Sequence, residues 1–63
     1  MKFLRRPQVQ AMTGLPTSTL YDLLSKRQFP APIRLTPGRV AWLESDVLAW
    51  QHERLAENGR EIT

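Results

Sequence analysis

The sequence contains no cysteine, so neither a disulfide nor a thiolate zinc site can hold the chain together. It has one histidine, His52, on what reads as the outer face of a helix; that leaves little for acid–base or metal chemistry, and solvated surface is the expected role. The three glycines, Gly14, Gly38 and Gly59, stand apart and form no phosphate-cradling loop. No apolar run approaches the roughly 18–20 residues that cross a bilayer. The start, MKFLRR, lacks the apolar centre of a signal peptide. These absences argue against an enzyme, a metal or cofactor protein and a membrane protein. The expectation is a soluble, intracellular, cytoplasmic protein whose 63 residues form one domain, 1–63, with an ordered core of about 3–57. A domain this short buries only about 60% of the surface its unfolded chain exposes, so stability is expected to be marginal.

Acid is scarce in one part of the chain and plentiful in the other. Residues 1–43 carry Lys2, Arg5, Arg6, Lys26, Arg27, Arg34 and Arg39 against Asp22 alone, a net charge of +6. Residues 44–63 carry Glu44, Asp46, Glu53, Glu57 and Glu61 against Arg54 and Arg60, a net charge of −3. Segregated positive charge is the footprint of a polyanion binder.

Arg5-Arg6-Pro7 opens a first helix, because the fixed φ of proline suits a first turn; it is expected to run to about Met12, with Val9 and Met12 inward. Gly14 fits a left-handed helix end, and Leu15-Pro16 prevents continuation. The second helix begins at Pro16 or Thr17, with the hydroxyls of Thr17 and Ser18 offered as caps. Leu20, Leu23 and Leu24 fall on one stripe; Ser18, Asp22 and Ser25 fall opposite, flanked by Tyr21 and Lys26. The two helices, sharing Val9, Leu15, Leu20 and Leu23, describe a helix-turn-helix.

Phe29-Pro30-Ala31-Pro32 enforces an extended path. Ile33 and Leu35 alternate with Arg34, and Val40 and Trp42 alternate with Arg39 and Ala41, the pattern of two half-buried strands. Thr36-Pro37-Gly38 between them predicts a type II turn with positive φ at Gly38, and Arg34 and Arg39 are expected to point outward. Glu44, Ser45 and Asp46 supply negative charge and a capping hydroxyl to a third helix with Val47, Leu48, Trp50 and Leu55 as its apolar stripe, within which Gln51 and Arg54 also fall. Asn58-Gly59 stops it, and 60–63 are expected to fray. Trp42 and Trp50 are assigned to the core rather than to base stacking. The fold class is α+β, mainly α: a winged helix-turn-helix.

An exposed helix face chosen for helix stability alone would favour Glu, Lys, Gln and Ala; this one is rich in Thr and Ser, weak helix formers. Short hydroxyl side chains let a backbone approach a groove and bond phosphates or base edges. Asp22 has two roles open to it, accepting from a cytosine amino group or pairing with Lys26 at i, i+4. Arg34 and Arg39 suit phosphate or minor-groove contact.

The segments FLRRPQV, TGL before STLY, QFPAPIRL and VAWLESDVLAW, in that order and spacing, resemble the AlpA family of prophage regulatory proteins, which is related to small phage excisionases and to the DNA-binding part of MerR-type regulators. The resemblance spans about Phe3 to Leu55. It implies double-stranded DNA as partner, with the second helix in the major groove and the hairpin wing in the minor groove or on the backbone. Carried over by position, the reading helix comprises Thr17, Ser18, Thr19, Tyr21, Asp22 and Ser25, and the wing Arg34 through Arg39, including Thr36 and Gly38. Such proteins act as transcriptional regulators, as recombination directionality factors on attachment-site DNA, or as both, with an integrase or RNA polymerase as further partner and cooperative self-association on DNA. Family members often have Ser-Arg where this chain has Pro16-Thr17, which shifts affinity toward Arg5, Arg6, Lys26, Arg27 and the wing. They often carry a basic residue where Asp22 stands. A protein-interaction adaptor, docking on an integrase or polymerase subunit through the acidic third helix, is the alternative from a different class.

Overall fold

Proline and glycine set both ends of the first helix and the start of the second; the second ends instead in a left-handed turn at Arg27. A computed structural model describes residues 2–59. In chain order it has strand β1 (Phe3–Leu4), helix α1 (Arg6–Thr13), helix α2 (Thr17–Ser25), strands β2 (Ile33–Thr36) and β3 (Arg39–Leu43), and helix α3 (Glu44–Glu57). The three strands form an antiparallel sheet in the order β1-β3-β2. This is a mostly helical α+β winged helix-turn-helix, as the sequence predicts. The expected fraying of 60–63 lies outside the described residues.

Pro7 sits in the first turn of α1 and Gly14 ends it at φ +73°, its N–H donating to the Gln10 carbonyl at 2.7 Å. The turn into α2 is tied by side chains of α1. Gln10 Nε2 donates to the Leu15 carbonyl at 3.2 Å and to Thr17 Oγ1 at 3.0 Å. Thr17 is already helical and Pro16 takes the cap position, with no side-chain cap bond; the hydroxyl caps expected from Thr17 and Ser18 are therefore not made. The same holds at α3, where the capping hydroxyl expected of Ser45 is absent and Leu43 takes the cap position. With no loop between β3 and α3, the first N–H of the helix, that of Glu44, donates instead to the Lys2 carbonyl at 2.9 Å. Glu44 and Asp46 still place negative charge in the first turn, where the helix dipole favours it.

Leu4, Val9, Leu20, Phe29, Trp42 and Val47 form the core, with Met12, Leu15, Leu23, Leu24 and Trp50 packed against it. Burying a side chain such as Val47 contributes about 1.5–3 kcal/mol. The two indoles fasten the 28–30 segment from both sides: Trp42 Nε1 donates to the Pro30 carbonyl at 2.9 Å and Trp50 Nε1 to the Gln28 carbonyl at 2.8 Å. Phe29 lies between them, edge-on to Trp50 at 4.8 Å between ring centroids. Trp42 is buried as expected; Trp50 is only half-buried, roofing Phe29 from the rim. Leu48, assigned inward, is exposed. Gln51, also within the stripe, is partly buried, and its Nε2 donates to the Met12 carbonyl at 2.9 Å, one of the carbonyls that the end of α1 leaves without a helical partner.

The wing departs most from expectation. β2 is exposed along its whole length, and in β3 Val40 is exposed while Ala41 and Trp42 are both buried. The strands are not two half-buried ribbons, because β2 overhangs the core as an edge while β3 is central and paired on both sides. The turn joins Thr36 to Arg39, but Gly38 does not take positive φ, so it is not type II. A register shift between Arg34 and Thr36 supplies the extra twist of a bulge.

Candidate nucleic-acid interface

α2 buries Leu20 and turns Thr17, Ser18, Thr19, Tyr21, Asp22 and Ser25 to solvent. Two of these polar groups are engaged within the helix. Ser25 Oγ donates to the Asp22 carbonyl at 2.8 Å, and Asp22 Oδ2 pairs with Lys26 Nζ at 3.0 Å with both side chains more than half exposed. Such a pair is worth only a few tenths of a kcal/mol, so Asp22 remains free to exchange partners. Thr17 accepts from Gln10. Ser18 and Thr19 make no side-chain hydrogen bond among the described residues.

The wing arginines are both exposed, but they do not share a face. The register sets Arg34 opposite Val40, and residues paired across strands lie on the same side of a sheet. Arg34 therefore shares the side of Val40 and Trp42, the side turned toward the helices, while Arg39, next to Val40 along the strand, lies on the other. The sequence alternation, which groups Arg34 with Arg39, is displaced by one residue; the bulge after Arg34 breaks the period of two.

Arg5 and Arg6 stand at the start of α1, both exposed. The Arg5 N–H donates to Gln8 Oε1 at 2.8 Å, which fixes the helix entry. Arg6 reaches α2, where its Nη1 lies 3.4 Å from the Tyr21 hydroxyl, at the long end for a hydrogen bond. A cleft of about 350 Å³ joins Arg5, Arg6, Tyr21, Gly38, Val40 and Trp42. Of the residues selected from the sequence, it gathers Arg5, Arg6, Tyr21 and Gly38. Thr36 stands exposed across the turn from Arg39.

Lys26 and Arg27 follow the last turn of α2, and Arg27 borders a different cleft, of about 680 Å³, facing Asp46, Trp50, Glu53, Arg54 and Glu57 of α3. There Arg54 lies 5.8 Å over the Trp50 ring and pairs with Glu57 at 2.8 Å. Val40 in the first cleft and Arg54 in the second are site-lining residues that the sequence did not single out. Val40 carries the pattern of a core residue, and Arg54, although helical spacing puts it within the stripe of α3, carries no sequence signal that it lines a cleft. No group of three or more His, Asp or Glu side chains arranged to hold a metal occurs among the described residues. No helix among them is long and apolar enough to cross a membrane.

A family model described as "Prophage CP4-57 regulatory protein (AlpA)" matches residues 2–55. The uncharacterized protein ORF88 of Enterobacteria phage P4 is 44% identical over 59 residues, covering 94% of this chain and 67% of that protein.

Proposed function

Because the chain belongs to the AlpA family of prophage regulatory proteins, we propose that it binds double-stranded DNA as a winged helix-turn-helix, with no catalytic step and no cofactor. In this reading the exposed face of α2, comprising Thr17, Ser18, Thr19, Tyr21, Asp22 and Ser25, enters the major groove. The wing from Arg34 through Arg39 lies on the minor groove or the backbone, with Arg5, Arg6, Lys26 and Arg27 on phosphates. The observation that carries it is the conjunction of a hydroxyl-rich, solvent-facing α2 with an exposed β2 and hairpin turn across a cleft from Tyr21, on the part of the chain that holds seven cations against one acid.

Such binding serves a transcriptional regulator, a recombination directionality factor on attachment DNA, or both. A footprint decides between the two: protection within attachment-site DNA and stimulated excision support the recombination role, while protection confined to a promoter supports regulation alone. Cooperative occupation of adjacent sites would show in the same footprint as steeper filling of neighbouring repeats.

The second cleft favours an additional protein partner. Asp46, Glu53 and Glu57 line an open groove together with Phe29, Trp50, Arg27 and Arg54; Glu57 is paired with Arg54, which leaves Asp46 and Glu53 as the carboxylates that a basic segment of an integrase or polymerase subunit would meet. DNA binding and such docking are compatible on one molecule. Loss of duplex binding in every sequence tested, with retained capture by a purified integrase, would replace the DNA reading with the adaptor reading.

A further inference from the structure

Resting on the DNA-binding reading above, we propose that Arg5, Arg6 and Tyr21 form a clamp for one backbone phosphate, on the strand that passes between the major-groove and minor-groove contacts. The location follows from the two-groove docking. If α2 occupies the major groove and the wing reaches the adjacent minor groove, the sugar–phosphate strand separating the grooves must cross the gap between Tyr21 and the wing at Gly38 and Val40. That gap is the cleft of about 350 Å³.

Its chemistry suits a phosphodiester. No acidic side chain lines it, and among the described residues neither Arg5 nor Arg6 is ion-paired. Arg6 Nη1 donates toward the Tyr21 hydroxyl oxygen, which leaves the phenolic proton for a phosphate oxygen while the remaining guanidinium N–H groups of Arg6 address the same anion. Arg5 supplies a second guanidinium from the same wall. At Gly38 an added Cβ would meet nothing within 4 Å, so the strand has room to enter. Val40, 44% exposed on the floor, offers an apolar surface to a deoxyribose. This assigns Tyr21 to the backbone, whereas its position on α2 alone would count it among the base-reading residues.

The test uses the full chain and a duplex that it selects from a random pool, made as a series with a single neutral methylphosphonate at each position. Wild type, Arg6→Ala and Tyr21→Phe are titrated against the series by fluorescence anisotropy, after circular dichroism melts have established that each is folded. One methylphosphonate should weaken wild type by about tenfold or more and weaken Arg6→Ala by a clearly smaller factor, since that variant has already lost one of the three groups that hold the phosphate. Arg6→Ala should also reduce the log–log salt slope by about 0.9. Tyr21→Phe should bind several-fold more weakly with the salt slope and base preference unchanged, because it loses a proton donor and no charge. If every methylphosphonate weakens wild type and Arg6→Ala by the same factor, the clamp is wrong while DNA binding stands. If Tyr21→Phe changes which sequence is selected, Tyr21 reads bases and the clamp is likewise overturned. Failure of the wild type to select any duplex would overturn the functional reading and the clamp with it.

Discussion

Arg27 holds φ at +58°, in the left-handed region that non-glycine residues seldom occupy. It does so at the C′ position of a Schellman turn: the Gln28 N–H donates to the Leu23 carbonyl at 2.8 Å and the Arg27 N–H to the Leu24 carbonyl at 3.1 Å. Glycine is the usual residue there, and Arg27→Gly should raise stability by about 1 kcal/mol, read as a higher urea midpoint at unchanged m. If Arg27 contacts a phosphate, the same variant should bind duplex more weakly. A cation kept at a strained position is then a local cost retained for function. The glycines make the complementary case. Gly14→Ala meets no steric neighbour but must hold φ +73°, so it should lose about 1–2 kcal/mol. Gly38→Ala has open space and no positive φ, and should leave stability unchanged or raise it by about 0.5 kcal/mol. The left-handed end at Gly14 is legible because glycine there is followed by Leu15-Pro16. At Arg27 nothing in the residue type announces it.

At the scale of elements, α3 shows how a helical stripe is redrawn by what it packs against. Val47 is fully buried, and Leu48, its apolar neighbour, is 41% exposed. Val47→Ala should therefore cost about 2 kcal/mol and Leu48→Ala less than about 0.5 kcal/mol, a contrast that thermal melts would resolve. Trp50→Ala removes the ring that covers Phe29, the hydrogen bond to the Gln28 carbonyl and the surface beneath Arg54. Its expected cost of about 3–5 kcal/mol is comparable to the whole stability of a domain this small, so the cooperative melt should be lost. Retention of a cooperative melt would mean that the 28–30 segment is held without it. β1 is the element the sequence did not announce. Two residues carry no periodicity, and they become a strand only because Phe3 and Leu4 pair with Leu43 and Trp42. The wing has the same dependence: its residues alternate on paper, but the bulge after Arg34 decides which arginine faces the helices.

Over the whole molecule, charge is divided between two regions. α1, α2 and the wing carry the cations; α3 carries the acids, with Glu44 paired to Lys2 across the junction at 3.7 Å. Duplex affinity should fall steeply with salt, each neutralised phosphate adding about 0.9 to the log–log slope, and Arg39→Ala should lower affinity for many sequences alike. Asp22→Ala should instead change base preference; an unchanged preference in a selection experiment would reduce Asp22 to the partner of Lys26 seen at 3.0 Å. The hydroxyl-rich α2, the glycine and proline punctuation, the helix-turn-helix core and the charge division were all determined by the sequence itself. Each is local, set by residue type and by spacings of three or four along a helix. Only the tertiary structure decided the strand register, the face on which each wing arginine lies, the exposure of Leu48, and the cleft that brings Arg6 to Tyr21. Those depend on pairings between residues distant in the chain, where one bulged residue inverts an alternation and the packing partner, not the side chain alone, determines what is buried.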